Sequence, residues 1–228
     1  MTTTLKSALD QFRLEFTGKI PPEIAAAMTR ADNELAASGI AAQALGAGAE
    51  APDFTLKGAR GETVTLSRLL RQGPVVVSFY RGGWCPYCNL ELRALQAVLP
   101  EITARGASLV AISPELPDES LSTAEKNELA FPVLSDTGSR VARNWGIAFD
   151  LAEELRPIYS RFGHALPDRN GGTEWILPVP ATFVISDCGI VRLAFVDTDY
   201  RNRLEPEAVL CALDAIAAAR ARVAAEYG

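Results

Sequence analysis

Cys85 and Cys88, two residues apart in "RGGWCPYCNLEL", are the side chains of this sequence best equipped for chemistry. A Cys-x-x-Cys pair has three ordinary uses: half of a zinc site, a structural pair, or a dithiol that cycles with its disulfide. A structural zinc needs about four ligands. Outside the pair there are only Cys188 and Cys211, each alone in the sequence, and a single histidine, His164. There is no second Cys-x-x-Cys. The pattern therefore favours a redox couple and calls for no metal and no other cofactor.

The neighbours of the pair point the same way. Pro86 suits the first position of a helix, where its missing N–H costs nothing. Cys85 then falls at the N-cap, where its sulfur would receive the free N–H groups of Tyr87 and Cys88 and feel the positive end of the helix. Both effects lower a thiol pKa and expose a nucleophilic thiolate. Cys88, Leu92, Leu95, Leu99 and Ile102 share one stripe at helical spacing, so Cys88 should face inward. Position thus favours Cys85 as the attacking thiol and Cys88 as the one that closes the disulfide. Trp84 would shield Cys85, dock a partner or serve as a packing lid. Arg81 would either bring positive charge to the thiolate or lie in solvent.

The elements that must hold this stretch can be read outward from it. "PVVVSFY" before it is a β-branched and aromatic run, as in a strand buried on both faces. A helix follows the cysteines to about Arg105. "SLVAISP", "FPVLSD", "ATFVIS" and "IVRLAFV" read as further strands, and "DFTLKGARGETVTL" as a hairpin about Gly61. Helical segments alternate with them, among them "SRLLRQG", "LSTAEKNELA", "DLAEELRPIYSRFG" and a closing "EPEAVLCALDAIAAARA". "HALPDRNGGTEWILP" reads as a loop. The expected class is α/β, a mixed sheet flanked by helices. Asp136 in "LSDTG" is a candidate helix cap.

Residues 1–46 differ from the rest. Leu5, Leu9, Phe12 and Phe16 make one helical stripe, and Ile24, Met28, Ala31 and Leu35 a second after Pro21-Pro22. This is a helical hairpin extension ahead of a domain over 47–228. Its stripes must be covered by that domain or by a second copy, which makes a homodimer an expectation. The hairpin carries no catalytic signature. His164 in its loop reads as surface decoration. Cys188 reads as an exposed turn thiol, and Cys211 as inert.

The 228 residues carry a net charge of −6 with no Lys/Arg cluster, which argues against nucleic-acid phosphates as partners. "MTTTLKSALDQF" lacks a signal-type apolar core, and no run reaches membrane-spanning length. The expectation is a cytoplasmic protein, where close cysteines are more often catalytic or metal-binding than structural.

On "APDFTL", "PVVVSFYRGGWCPYCNLELRAL", "LVAISP", "FPVLSD" and "PVPATFVISDCGIV", residues 47 to 220 resemble the thioredoxin-like superfamily. The resemblance is to its peroxiredoxin-like branch, related to alkyl hydroperoxide reductase and thiol-specific antioxidant proteins. It implies a central mixed sheet with the active thiol where a strand hands over to a helix. Trp84, Cys85 and Cys88 match the Trp-Cys-x-x-Cys of thioredoxins. In the peroxiredoxin pattern Pro-x-x-x-Thr-x-x-Cys, Arg81 replaces the Pro, Cys85 the Thr, and Cys88 falls on the peroxide-attacking Cys. That register reverses the roles that position suggests. Ser78 stands where thioredoxins bury an acid. Pro180 stands where thioredoxins keep a cis-proline and peroxiredoxins an Arg, so a cis Val179–Pro180 bond facing the dithiol is expected. The implied activity is a thiol peroxidase acting on hydrogen peroxide or organic hydroperoxides, recycled by thioredoxin or a glutaredoxin-type reductant, with a part in cell redox homeostasis. The alternatives are a protein dithiol–disulfide oxidoreductase and a redox-sensing scaffold without enzymatic activity.

Overall fold

The computed structural model of the chain describes residues 4–227. In chain order the elements are α1 (Leu5–Thr17), α2 (Pro22–Ala37), α3 (Ile40–Gln43), β1 (Thr55–Gly58), β2 (Thr63–Thr65), α4 (Leu66–Leu70), β3 (Val75–Phe79), α5 (Pro86–Ala97), α6 (Leu99–Ala104), β4 (Ser108–Ser113), α7 (Pro117–Lys126), β5 (Val133–Ser135), α8 (Arg140–Asn144) and β6 (Ala148–Asp150). A 3-10 turn (Glu153–Leu155) leads into α9 (Arg156–Arg161), α10 (Leu166–Asn170), β7 (Ile176–Pro178), β8 (Ala181–Ile185), β9 (Val191–Val196) and α11 (Pro206–Tyr227).

The hydrophobic run of β3 places it near the middle of a seven-stranded sheet of order β2-β1-β5-β4-β3-β8-β9. It pairs parallel with β4 and antiparallel with β8, Phe79 facing Ile112 on one side and Ala181 on the other. All five of its residues are buried. One helical layer packs Leu92, Leu95, Ile102 and Leu213 on one face of the sheet; Trp145, Leu66 and Phe54 cover the other. The sheet is mixed and flanked by helices, as the sequence predicts.

Three local expectations change. The helix expected to run to Arg105 is two helices, α5 and α6, because Pro100 lacks an N–H and its ring clashes with the carbonyl one turn back. The segment read as a loop after His164 contains α10 and β7, and β7 pairs antiparallel with β6 in a separate two-stranded sheet. Every peptide bond among the described residues is trans, Val179–Pro180 included, so the expected cis bond is not found. Asp136 does cap: its two carboxylate oxygens accept the Val141 and Ala142 N–H groups at 3.0 and 2.9 Å.

The two N-terminal helices dock separately on the rest of the chain, α1 against α5 and α2 against the 153–155 turn. The carboxylate of Glu205 accepts the Leu5 and Lys6 N–H groups at 3.3 and 2.6 Å, anchoring the start of α1. Leu5 and Leu9 belong to the same buried cluster as Cys88, Leu92 and Leu213. Helix α1 is therefore part of the core that supports the dithiol. Leu9→Ala should cost about 2–5 kcal/mol, the usual range for emptying a core leucine site. At roughly 2–4 °C per kcal/mol for a chain of this size, thermal denaturation should show a clear fall in Tm. An unchanged Tm would mean that α1 is not part of the cooperative core.

Candidate active site

The site lies where β3 ends. Parallel neighbours β3 and β4 finish together there, a place where open α/β sheets commonly bind ligands. The backbone leaves Phe79 through Tyr80, whose N–H donates to the Ile112 carbonyl at 2.9 Å, and enters the Gly-Gly turn. Both glycines are required by crowding. A Cβ on Gly82 would sit 2.2 Å from Nε1 of Trp84, and one on Gly83 2.1 Å from Oγ1 of Thr123. The turn is clamped from both sides. Gly83 donates its N–H to the buried carboxylate of Glu115 at 2.8 Å, and its carbonyl accepts Nδ2 of Asn89 at 2.8 Å. Asn89 is held in turn by Asn127.

Helix α5 begins at Pro86 with Cys85 at its N-cap, in extended conformation. Cys85 and Cys88 are both free thiols and both buried. The cap is weaker than expected: no well-formed side-chain capping hydrogen bond is made at Cys85. Its charge is stabilised mainly by other groups. Burial alone would push the Cys85 thiol up. A hydrogen bond with the Cys88 thiol, then the guanidinium charges of Arg81 and Arg203, overcome that and bring it down to about 6, with the Cys88 N–H adding a smaller part. Cys88 moves the opposite way, raised by burial and by the adjacent Cys85. The proton that the two sulfurs share stays on Cys88.

Arg81 is not in solvent. It is 4% exposed and sits in an aromatic cage, 4.3 Å from the Tyr200 ring centre, 5.2 Å from Trp84 and 5.7 Å from Tyr159. It donates a hydrogen bond to the Tyr159 hydroxyl. Burial works against its charge, but the surrounding phenols and thiols hold it protonated. Trp84 meets Tyr159 edge-on and stacks on His164, ring centres 4.9 Å apart. His164 is thus part of the site wall, not surface decoration. Burial lowers its pKa, so it is neutral at pH 7.

A cavity of about 310 Å³ opens on this group. Cys85 lines it together with Arg81, Trp84, Tyr87, His164 and Phe12; Cys88 does not. Pro180 is elsewhere. It lines a neighbouring cavity of about 510 Å³ that shares Arg81, Tyr159 and Tyr200 with the first. Behind Cys88 is a buried ionic group that sequence reasoning missed. Arg203 donates to the Cys88 sulfur at 3.4 Å and pairs with Glu91 at 2.6 Å, while Thr182 donates to Glu91 at 3.1 Å. Burial raises Glu91 to about 7 against the pull of Arg203. Glu91 carried a signal, being a charged residue one turn from Cys88 on an apolar stripe. Arg203, 115 residues away, carried none. Cys188 and Cys211 are exposed and remote from the pair.

This is a thioredoxin-like fold with a strand-to-helix dithiol, the architecture of peroxiredoxins. The chain belongs to the AhpC/TSA family, whose model matches residues 47–194. Among curated relatives, it is 31% identical over 193 residues to the chloroplastic peroxiredoxin Q of Triticum aestivum, covering 84% of this chain and 76% of that protein. To that of Sedum lineare it is 32% identical over 160 residues, 70% and 71% of the two chains. To that of Populus jackii it is 32% identical over 156 residues, covering 68% of this chain and 60% of the relative's length. These relatives are chloroplastic, which overturns the expectation of a cytoplasmic protein drawn from the lack of a signal-type core and of a membrane-length run. Among solved structures, peroxidoxin BcpB of Mycobacterium tuberculosis superposes with a TM-score of 0.60 at 26% identity, over 75% of this chain and 98% of that one. The 2-Cys peroxiredoxin of Plasmodium vivax shares the fold, with a TM-score of 0.58 at 20% identity over 75% and 81% of the two chains.

The electrostatics can be measured directly. The rate of Cys85 alkylation by iodoacetamide, followed by peptide mapping across pH, should have its midpoint near 6. Arg81→Gln removes a cation that favours the thiolate, so the midpoint should rise, by roughly 1–3 units for a charge at contact range. A midpoint near the ordinary thiol value in both proteins would show that Arg81 does not set the Cys85 pKa.

Proposed function

We propose that the chain is a thiol-dependent peroxidase in which Cys85 attacks and Cys88 resolves. The observation that carries this reading is that Cys85 alone of the pair faces the cavity and is the thiol held as an anion near pH 7. The Cys85 thiolate attacks the distal oxygen of a hydroperoxide. An S–O bond forms and the O–O bond breaks; sulfur loses two electrons, and the alkoxide leaves to take a proton from solvent. The transferred oxygen keeps its proton, leaving a sulfenic acid. The Cys88 thiol then attacks that sulfur and releases water, forming the Cys85–Cys88 disulfide. A dithiol donor such as thioredoxin or a glutaredoxin-type reductant restores both thiols.

The supporting roles follow from contacts. Arg81 stabilises the thiolate and the developing alkoxide, with Trp84 and Tyr87 as walls and Pro86 as the start of the helix. Pro180 contributes packing beside Arg81. Residues 1–46 are an extension on a domain over 47–228, a division in keeping with a family match that begins at residue 47. A homodimer would cover what the docking of α1 and α2 on the rest of the chain leaves exposed, Leu14 among it. Cys85, 1% exposed, is reached through a cavity of small-molecule size, which suits a peroxide as the oxidising substrate.

Single cysteine variants test the assignment. Under stoichiometric peroxide, Cys88→Ser should accumulate a dimedone-trappable sulfenic acid on Cys85, because attack survives and resolution is lost. Cys85→Ser should react far more slowly. Accumulation of sulfenic acid on Cys88 in Cys85→Ser at close to the wild-type rate would reverse the roles, in agreement with the peroxiredoxin register.

A further inference from the structure

We propose that the N-terminal helices make the Cys85 cavity a specificity pocket for hydroperoxides with a bulky apolar tail of about one aromatic ring. This rests on the peroxidase reading above and goes beyond it in naming what fills the pocket. The segments responsible are outside the part of the chain that defines its family. Phe12 and Phe16 of α1 and Met28 of α2 line the cavity, whereas the family match starts at residue 47. Ile158 and Phe162 complete the apolar wall from α9 and its C-terminal end.

Hydrogen peroxide has no use for such a wall. It is two hydroxyl groups, and moving it from water into an apolar chamber leaves polar hydrogens without partners. An organic hydroperoxide pairs each of its ends with the surface that suits it. Its O–O group meets Cys85 and Arg81, the charged end of the cavity. Its tail removes apolar surface from water against Phe12, Phe16 and Phe162, a gain proportional to the area covered. The aromatic walls are already arranged edge-on: Phe12 is perpendicular to Tyr87 at 5.0 Å, and Tyr87 lies at 85° to Tyr200 at 5.6 Å. A ring lying against these groups in the cavity they line finds the offset and edge-to-face contacts that aromatic pairs prefer. The volume sets the size of the tail. About 310 Å³ is at the lower end of ligand pockets, which run roughly 300–1,000 Å³. That accommodates one ring with its alkyl carbons, but not a whole lipid.

The probe is cumene hydroperoxide, with tert-butyl hydroperoxide and hydrogen peroxide as smaller comparators. Second-order rate constants for oxidation of the full-length reduced chain should fall in that order. The cumyl compound should exceed hydrogen peroxide by about 10-fold or more, the discrimination that a hydrophobic pocket earns from a few carbons. Phe12→Ala should lower the cumyl-to-hydrogen-peroxide ratio several-fold, a change that loss of general stability would not produce. Phe162→Ser is the second variant. Phe162 is 45% exposed, so it can be replaced without emptying the core, and the ratio should fall there too. Equal rates for the three peroxides, a preference for hydrogen peroxide, or a ratio untouched by both variants would overturn the pocket assignment while leaving the peroxidase intact. Consumption of none of the three by the wild-type chain would overturn both.

Discussion

The arrangement depends on a buried cation beside a buried sulfur. Arg81 has almost no access to water and no carboxylate partner among its caging groups, which are Tyr159, Tyr200 and Trp84. A guanidinium in such a place is costly unless something nearby is negative. The Cys85 thiolate supplies that charge, and each ion makes the other tolerable. Lowering a thiol from its ordinary value to about 6 corresponds to a differential stabilisation of the anion on the order of 4 kcal/mol. The sign for folding follows from that depression. The contribution is complete only above the unfolded thiol pKa, shrinks as pH falls, and is lost below about 6. At pH 7 it is on the order of 1 kcal/mol. The pair is thus mainly a device for reactivity and only secondarily a source of stability. The clamps on the Gly82-Gly83 turn and the packing of α1 hold it in place.

Two guanidiniums divide the dithiol between them. Arg81 lines the cavity together with Cys85 and favours its thiolate, and Arg203 donates to the Cys88 sulfur from behind. The difference between the sulfurs comes from their surroundings. Arg203 is shared with Glu91, and burial and the neighbouring Cys85 outweigh its pull on Cys88, which keeps its proton while Cys85 is ionised. Two thiols of the same type, three positions apart on one helix, are driven to opposite protonation states. This is the asymmetry that an attacking and a resolving thiol require.

Much of this was legible in the sequence wherever the cause was local. The continuous apolar run of β3, the Gly-Gly turn, Pro86 at the first helical position and the inward stripe from Cys88 each follow from short-range rules. Together they place the dithiol at a strand-to-helix junction. The two-helix break at Pro100 was also there to be read. Arg203 was not, because nothing around it distinguishes an arginine bound for the core from one on the surface. His164 and Phe12 fail for the same reason. They join Cys85 only after α1 and the segment following β6 have folded over the end of the sheet. The Cys85 cap misled in a subtler way: the helix does start there, but the charge on the sulfur is held mainly by the side chains of Cys88, Arg81 and Arg203 and only in a smaller part by the helix N–H groups.

Arg203 has a further consequence for the second half of the proposed cycle. The disulfide must be opened by a thiolate from a donor, and only Cys85 has contact with the cavity through which that donor could approach. Attack on Cys85 expels Cys88, and a leaving thiol departs faster when its pKa is low. In the reduced protein Cys88 is a poor leaving group, raised first by burial and then by the neighbouring Cys85 thiolate. In the disulfide, Cys85 carries no charge, and that repulsion is gone. Arg203, 3.4 Å from the Cys88 sulfur, then has its charge within hydrogen-bond reach of the developing thiolate. The same residue that helps to hold the Cys85 thiolate in the reduced protein is also placed to stabilise the group expelled during reduction. Burial of Glu91 strengthens this, since a carboxylate with its pKa near 7 can take up a proton and leave the guanidinium charge to the sulfur. Both cations therefore favour the Cys85 thiolate while the peroxide is attacked, and Arg203 alone of the two is hydrogen-bonded to the Cys88 sulfur that must leave when the disulfide is undone.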